Sequence, residues 1–367
     1  MIAPSRSAGP ALAGRKLLLL PRYPAAGASS RLRMNQFIPA LAAAGAEVTV
    51  KPFFDDDYLR AYYDHGRKPL RSALAGYGRR AAAVATARAD LIWVEKELFP
   101  FLPGTAERPL RWRRATYVVD YDDAIFHNYD AHPRRAVRMM LGRKLDPLLA
   151  GAATVTAGNA YLAEYAARHG ARRVERIPTV VDPRRYPVLP NGGGGPIRIG
   201  WIGTPANARY LSPTIEAMRR LQPTIPMVLV TMGAPPLPDL PVAQERHEWS
   251  EDREAAMLAT VDIGVMPLPD DPFERGKCGY KLIQYMAAGR PVIASPVGVN
   301  ADIVDPAVGL LVGHVDEWVE AIRLLAADPE RRRAMGEAGR ERVERVYSLD
   351  VVAPRLVALF ADLLGAR

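Results

Sequence analysis

Short, continuously apolar runs recur along this chain, and most are followed by a stretch with the apolar period of a helix. Half-wetted antiparallel strands alternate polar and apolar residues. Continuous runs suit strands buried on both faces, as in parallel sheets covered by helices. The pattern predicts strands over 16–20, 47–52, 91–94, 116–119 and 153–157, and again over 197–202, 227–231, 263–266 and 291–295. Helices are predicted over 32–44, ended by Gly45, over 280–288, and over an amphipathic 349–364. Ser212-Pro213 reads as an N-cap followed by Pro at the first helical position. Between the two series lies Asn191-Gly192-Gly193-Gly194-Gly195, the clearest linker signal. The chain is therefore expected to be α/β, with two open-sheet domains. These are an N-terminal domain over 16–190, a linker over 191–196, a C-terminal domain over 197–348 and a final helix over 349–367. Residues 1–15, rich in Ala, Gly and Ser, read as a disordered leader without the long apolar region of a secretory signal.

Length agrees, since 367 residues exceed one ordinary core and suit two. No apolar run approaches the roughly 20 residues of a membrane helix. Cys278 is the single cysteine, so an intrachain disulfide is excluded, which fits a reducing compartment. Charge is uneven. Residues 1–190 hold 30 Lys/Arg against 17 Asp/Glu, whereas 191–367 hold 19 against 23. The densest basic cluster is Arg111, Arg113, Arg114, Arg134, Arg135 and Arg138. It reads either as an ordinary solvated surface or as attraction to an anionic lipid leaflet. Nucleic acid is disfavoured, because no nucleic-acid motif accompanies the charge.

The segment 274–300, Glu-Arg-Gly-Lys-Cys-Gly-Tyr-Lys-Leu-Ile-Gln-Tyr-Met-Ala-Ala-Gly-Arg-Pro-Val-Ile-Ala-Ser-Pro-Val-Gly-Val-Asn, reads as loop, helix, tight turn and buried strand. A helix start offers unpaired N–H groups and a positive dipole end to an anion. Lys277 and Lys281 are four apart and can face the same anion; a diphosphate is the natural candidate. Gly200-Trp201-Ile202-Gly203-Thr204 follows a strand and precedes a helix. Gly203 leaves room for phosphate, and Arg209 can pair with it bidentately. Ala26-Gly27-Ala28-Ser29-Ser30-Arg31 follows the first strand, and Ser29 or Ser30 can cap the next helix.

Asp120-Tyr121-Asp122-Asp123 ends a buried strand. Three readings stand: a divalent metal site, contacts to the hydroxyls of a ligand, or a turn paired to nearby arginines. Glu95-Lys96-Glu97 reads as a surface ion-pair cluster ahead of a place on a ligand cleft. His127 and His132 lack metal-ligand spacing. Trp249 sits before a short predicted helix and could pack in the core.

The 274–300 segment resembles the donor motif of retaining glycosyltransferases of family four, which have the GT-B fold. Their pattern is a glutamate, seven residues, a second glutamate, then Ala/Tyr-Met-Ala-x-Gly-x-Pro-Val-x-Ala-Ser. The match runs from Gly279 through Tyr285-Met286-Ala287-Ala288-Gly289-Arg290-Pro291-Val292-Ile293-Ala294-Ser295. Other segments follow in the family's order: Ala157-Gly158-Asn159, Ile177–Asp182, Gly200–Thr204 and Tyr347-Ser348. Two positions depart. Gln284 stands in place of the second glutamate and Gly276 in place of the first, with Glu274 the nearest carboxylate.

The resemblance implies two Rossmann-like domains facing across a cleft, with the C-terminal helix packing back toward the N-terminal domain. It implies transfer of a sugar, with retention, from a nucleoside-diphosphate sugar to a glycan or lipid-linked acceptor. The setting would be cell-surface polysaccharide or glycoconjugate biosynthesis, and the place the cytoplasm, peripheral at the inner face of the membrane. Neither a metal nor a cofactor beyond the sugar nucleotide is expected. Donor contacts would come from Gly27, Ser29, Ser30, Gly203, Thr204, Arg209, Trp249, Lys277, Cys278, Gly279, Tyr280, Lys281 and Gln284, the last holding the ribose. Arg31, Asp122, Asp123 and His127 would lie on the acceptor side, and Arg209, Lys281 and Asp122 would carry catalysis. A catalytically silent binding protein and a sugar-nucleotide epimerase are the alternatives on the same fold.

Overall fold

The computed structural model describes residues 10–65, 69–190 and 195–365. It contains two compact units. One comprises residues up to Thr179 together with those from Val352 onward, and the other spans Val180–Val351. The glycine run 191–194 and residues 1–9 of the expected leader lie outside the described residues. The chain passes between units before the glycine run because Val181 and Tyr186 already belong to the apolar core of the second unit. Val181 is also tied to the Tyr347–Leu349 backbone, its N–H donating to Tyr347 O and its carbonyl accepting from Leu349 N. Residues 10–15 are ordered: Leu12 is fully buried, and Leu12 N and Gly14 N donate to Ala44 O and Gly45 O.

The first unit holds a six-stranded parallel sheet in the order β2-β1-β3-β4-β5-β6. Its strands are β1 (Lys16–Leu20), β2 (Glu47–Val50), β3 (Leu91–Glu95), β4 (Tyr117–Tyr121), β5 (Thr154–Ala157) and β6 (Val174–Arg176). The second unit holds another, in the order β12-β11-β10-β7-β8-β9. These are β7 (Ile197–Ile202), β8 (Met227–Met232), β9 (Ala243–His247), β10 (Ile263–Met266), β11 (Val292–Ala294) and β12 (Gly309–Leu311). In each sheet the strand order reverses once, between β1 and β3 and between β7 and β10. Ligands of open parallel sheets bind at the carboxyl ends of strands beside such a reversal, so the fold marks two places to search.

The predicted helix over 32–44 is broken into helix Ala28–Arg33, a single turn Asn35–Phe37 and helix Ile38–Ala43. Pro39 is the physical reason, since it has no N–H to continue the ladder and suits a helix start. Ser212 is not the N-cap of its helix; the cap residue is Leu211, with Pro213 in the first turn. Strands β6, β9 and β12 were not predicted. β6 and β9 lie at sheet edges and carry charged, partly wetted side chains, which removes the apolar signal. From Val352 the final helix (Leu349–Gly365) belongs to the first unit. Phe360 meets Trp93 edge-on at 5.2 Å, and Arg173 pairs with Asp362 at 2.6 Å. No helix among the described residues is long and apolar enough to cross a membrane.

Candidate functional site

In the second unit the reversal brings together the end of β7, the end of β10 and the start of helix Tyr280–Ala287. Tyr285 fixes this helix against both strands: its buried hydroxyl accepts from Ile202 N at 3.1 Å and donates to Val265 O at 3.4 Å. The first turn of the helix therefore sits beside Gly203. Gly279, the residue before the helix, has φ +66° and no side chain caps the N–H groups that follow. A Cβ at Gly279 would run into the Ile303 side chain. Lys281, one residue into the helix, is half-buried, with its Nζ 4.6 Å from the centroid of the buried Trp201 ring. Gly203 exists to leave that space open, because a Cβ there would stand 2.8 Å from Lys281 Nζ and 2.6 Å from Trp201.

Among the described residues Lys281 has no carboxylate partner. Desolvation, with a smaller push from Lys277, lowers its pKa to about 7. The indole face offers a cation only partial compensation. Lys277 is half-buried, its Nζ 5.3 Å from the Phe273 ring centroid. Two cations thus share a helix start, and one lacks a counter-charge.

The reversal in the first unit is built differently. Gly27 is the N-cap residue of helix Ala28–Arg33. Ser29 and Ser30 lie inside that helix rather than capping it. Ser30 Oγ donates to Glu95 Oε2 and accepts from Tyr23 N. Ser29 Oγ lies 2.7 Å from both Glu95 Oε1 and Asp122 Oδ2, so its single proton serves one of them at a time. Lys96 donates to Ser29 Oγ at 2.9 Å, stands 2.9 Å from Asp122 Oδ1 and 3.8 Å from both Glu95 and Asp123. Burial opposes the Lys96 charge, but Asp122, Asp123 and Glu95 outweigh it and raise its pKa. For Asp122, burial is likewise outweighed, by Lys96 and Arg33, and its pKa is lowered. Beneath them the buried Arg33 grips Asp120 through Nε and Nη2 at 2.9 and 2.8 Å.

Residues 196–328 match the family model described as glycosyl transferases group 1. That stretch, about a third of the chain, is similar to a group 1 glycosyl transferase domain. Over 103 residues the chain is 38% identical to a GDP-mannose-dependent monoacylated alpha-(1-6)-phosphatidylinositol monomannoside mannosyltransferase of Corynebacterium glutamicum. That stretch is 27% of this chain and 27% of the relative, so the match spans only about a quarter of the curated relative's length. An alpha-maltose-1-phosphate synthase of Mycolicibacterium smegmatis is 27% identical over 188 residues, covering 44% of this chain and 47% of that protein. Two solved structures share the fold. A sucrose-phosphate synthase from Thermosynechococcus elongatus superposes with a TM-score of 0.73 at 19% identity, covering 96% of this chain and all of that one. Anabaena HepE in complex with UDP-glucose gives 0.68 at 16% identity, covering 95% and 100%. These neighbours are GT-B proteins, and the two parallel sheets are the Rossmann-like units of that fold.

Within the second unit, Gly203, Lys277, Gly279, Tyr280 and Lys281 converge at the start of one helix. Other expected donor residues are placed otherwise. Gln284 is buried and its Nε2 donates to Tyr186 Oη at 3.1 Å, an interior partner within the second unit. Cys278 is also buried, its Sγ directed at Gly276 O. Glu274, the carboxylate nearest the family's first glutamate, is buried against the Tyr210 hydroxyl. Tyr210 in turn receives a hydrogen bond from the exposed Arg209 at 3.2 Å. Thr204 is exposed. Trp249 is partly exposed, with Nε1 3.2 Å from Glu254.

Asp120 follows the arginine-paired reading, and its grip on Arg33 gives it a structural role. The expectation that Glu95-Lys96-Glu97 lies on the surface is corrected: all three are buried. Glu97 is enclosed by Lys144 at 2.6 Å and Arg22 at 2.8 Å. The sequence signal existed, since charged residues directly after a fully apolar strand fall at its carboxyl end, where open sheets bind ligands. Lys96 also has a left-handed φ of +65°, uncommon for a residue with a side chain and frequent where function over-determines the backbone. Its ammonium stands among the carboxylates where a metal ion would need to sit. His127 is held on both ring nitrogens, by Asp130 at 2.7 Å and Tyr161 Oη at 2.6 Å. Arg31 and Asp123 are half-buried.

Proposed function

We propose that this chain transfers a sugar, with retention, from a nucleoside-diphosphate sugar to a hydroxyl of a glycan or lipid-linked acceptor. The observation that carries the reading is Lys281, a half-buried ammonium at a helix start with no carboxylate partner among the described residues, facing space that Gly203 keeps free. A diphosphate there would restore the charge that burial disfavours. It would also meet Lys277 and the uncapped N–H groups after Gly279. These groups strengthen their hold as charge develops on the departing diphosphate, which is electrostatic catalysis at the leaving group. The bond from the anomeric carbon to the phosphate oxygen breaks while the acceptor oxygen bonds to the same face. The acceptor proton passes to the leaving phosphate, so no carboxylate nucleophile is required. Asp122 is held ionised by Lys96 and Arg33, which outweigh its burial. It and Asp123 are better suited to orienting acceptor hydroxyls.

Anabaena HepE has been solved in complex with UDP and with UDP-glucose, and a curated relative is GDP-mannose-dependent, which supports a sugar nucleotide as donor. The second reading is binding without turnover. Its support is Glu274 and Gln284, both engaged inside the second unit at the end of the site where the family carries carboxylates. Incubation with a panel of UDP- and GDP-sugars and glycan or lipid-linked acceptors, with the product anomer read by proton NMR, separates them. Transfer with the donor's anomeric configuration is expected. Donor binding without transfer to any acceptor would favour the second reading, and an inverted product would end the retaining one.

A further inference from the structure

We propose that Lys144 and Glu107 are positioning residues for the first unit's candidate site: they lock the turn after β3 so that the Lys96 ammonium meets Ser29 and Asp122. The inference rests on the reading of that site as the acceptor side of the proposed transfer. Lys96 is the middle residue of a three-residue turn. Glu97 N donates back to Glu95 O at 2.7 Å, and the φ of Lys96 is +65°. A hydrogen bond two residues back around a left-handed centre is the rare, strained hand of this turn. A residue with a side chain keeps such a backbone only where its surroundings impose it. Lys96 N donates to Asp120 O at 2.8 Å, so β4 fixes where the turn begins.

The buried side chains of Glu97, Glu107 and Lys144 impose it from the other end. Leu98 N and Phe99 N both donate to Glu107, to Oε2 at 2.8 Å and to Oε1 at 3.1 Å. Lys144 Nζ donates to Phe99 O at 2.8 Å and to Glu97 Oε2 at 2.6 Å, and stands 3.3 Å from Glu107 Oε1. Arg22 Nη1 and Tyr129 Oη complete the hold on Glu97, each at 2.8 Å. Residues 97, 98 and 99 are therefore each gripped by the same group. Gly104 seats it closely, because a Cβ there would stand 3.0 Å from Lys144 O. Stability alone is a poor reason for such a group, since apolar residues of similar volume often serve as well as a buried ion pair. The charges add direction: they hold two backbone N–H groups and one carbonyl at fixed points beside Lys96.

The full chain and the variants Glu107→Gln and Lys144→Met are treated with acetic anhydride in alkaline buffer, and acetylation of Lys96 is followed by mass spectrometry. Leu41→Ala, at a buried apolar residue of the same unit that makes none of these contacts, controls for lost stability, and thermal melts rank the proteins. Wild-type Lys96 should react slowly, being buried and ion-paired. In both test variants it should react well above the Leu41→Ala rate. Glu107→Gln keeps the side-chain shape and decides the matter if Lys144→Met does not fold. In the transfer assay kcat should fall by up to about a hundredfold, the scale of a misplacement of about 1 Å, with the donor KM unchanged. Lys96 acetylation in folded Glu107→Gln no faster than in Leu41→Ala, or a raised donor KM with unchanged kcat, would overturn the proposal. The labelling needs no substrate, so it decides the positioning role even if the chain transfers no sugar.

Discussion

Each unit places a buried or half-buried lysine at its sheet reversal, and the two differ in what surrounds them. Lys96 in the first unit is enclosed by Glu95, Asp122 and Asp123 and shares Ser29 with two of them. Lys281 in the second unit has an indole face, a neighbouring lysine and an uncapped helix start. The same residue type therefore performs opposite work. The first lysine neutralises a cluster that would otherwise fly apart. The second carries a charge that the protein leaves for a ligand to answer.

The comparison breaks most visibly on removing the charges. Lys96→Met removes the ammonium that stands within 3.8 Å of Glu95, Asp122 and Asp123, and loss of one partner from a buried ion pair costs about 3–5 kcal/mol. A drop of that size in unfolding free energy by denaturant titration is expected. Lys281→Met removes an uncompensated charge and should leave the melting temperature unchanged or raised. A large loss of stability in that variant would mean Lys281 is a structural cation after all.

The next effect is on ligand. Lys281→Ala should weaken diphosphate binding by about 1.5–3 kcal/mol, the range for hydrogen bonds to charged groups. The size of the effect should follow pH. Ammonium binds the anion and free Lys281 titrates at about 7, so affinity is full below that pH and falls as pH rises through it. Bound diphosphate raises the lysine pKa, so protons are taken up on binding in the same window. Buffers of different ionisation enthalpy would read that uptake in calorimetry, and Lys281→Arg should flatten the profile.

Gly279→Ala tests the local geometry. A residue with a side chain at φ +66° loses about 1–2 kcal/mol, and the Ile303 side chain must also move. A lowered melting temperature together with weakened diphosphate binding is expected. The smallest effect belongs to Arg209→Ala. Its guanidinium is exposed beside Tyr210, where solvent screens it. A few-fold loss of donor affinity is expected, well below that of Lys281→Ala; a larger loss would reverse their ranking.

The parallel-sheet architecture was legible because buried strands leave continuous apolar runs. Lys16–Leu20, Ile197–Ile202 and Ile263–Met266 fall where the pattern put them. Edge strands such as Ala243–His247 were not legible, since a polar strand with one neighbour looks like a loop. In the candidate site, Lys277 and Lys281 were readable from their four-residue spacing ahead of an apolar helix. The fate of Gln284 was not. Its partner Tyr186 lies 98 positions away, and no local pattern encodes that meeting. Glu95-Lys96-Glu97 was misread because charge usually marks surface, and only the sheet order shows that this triplet ends a central strand.

The central claim is that Lys281 waits for a diphosphate. Calorimetric titration of UDP and GDP into the wild-type chain and into folded Lys281→Ala, at a pH below 7, tests it most directly. The account predicts binding of at least one nucleotide by the wild type and a loss of roughly tenfold or more in the variant. Absence of binding to either nucleotide, or equal affinity in the two proteins, would contradict it.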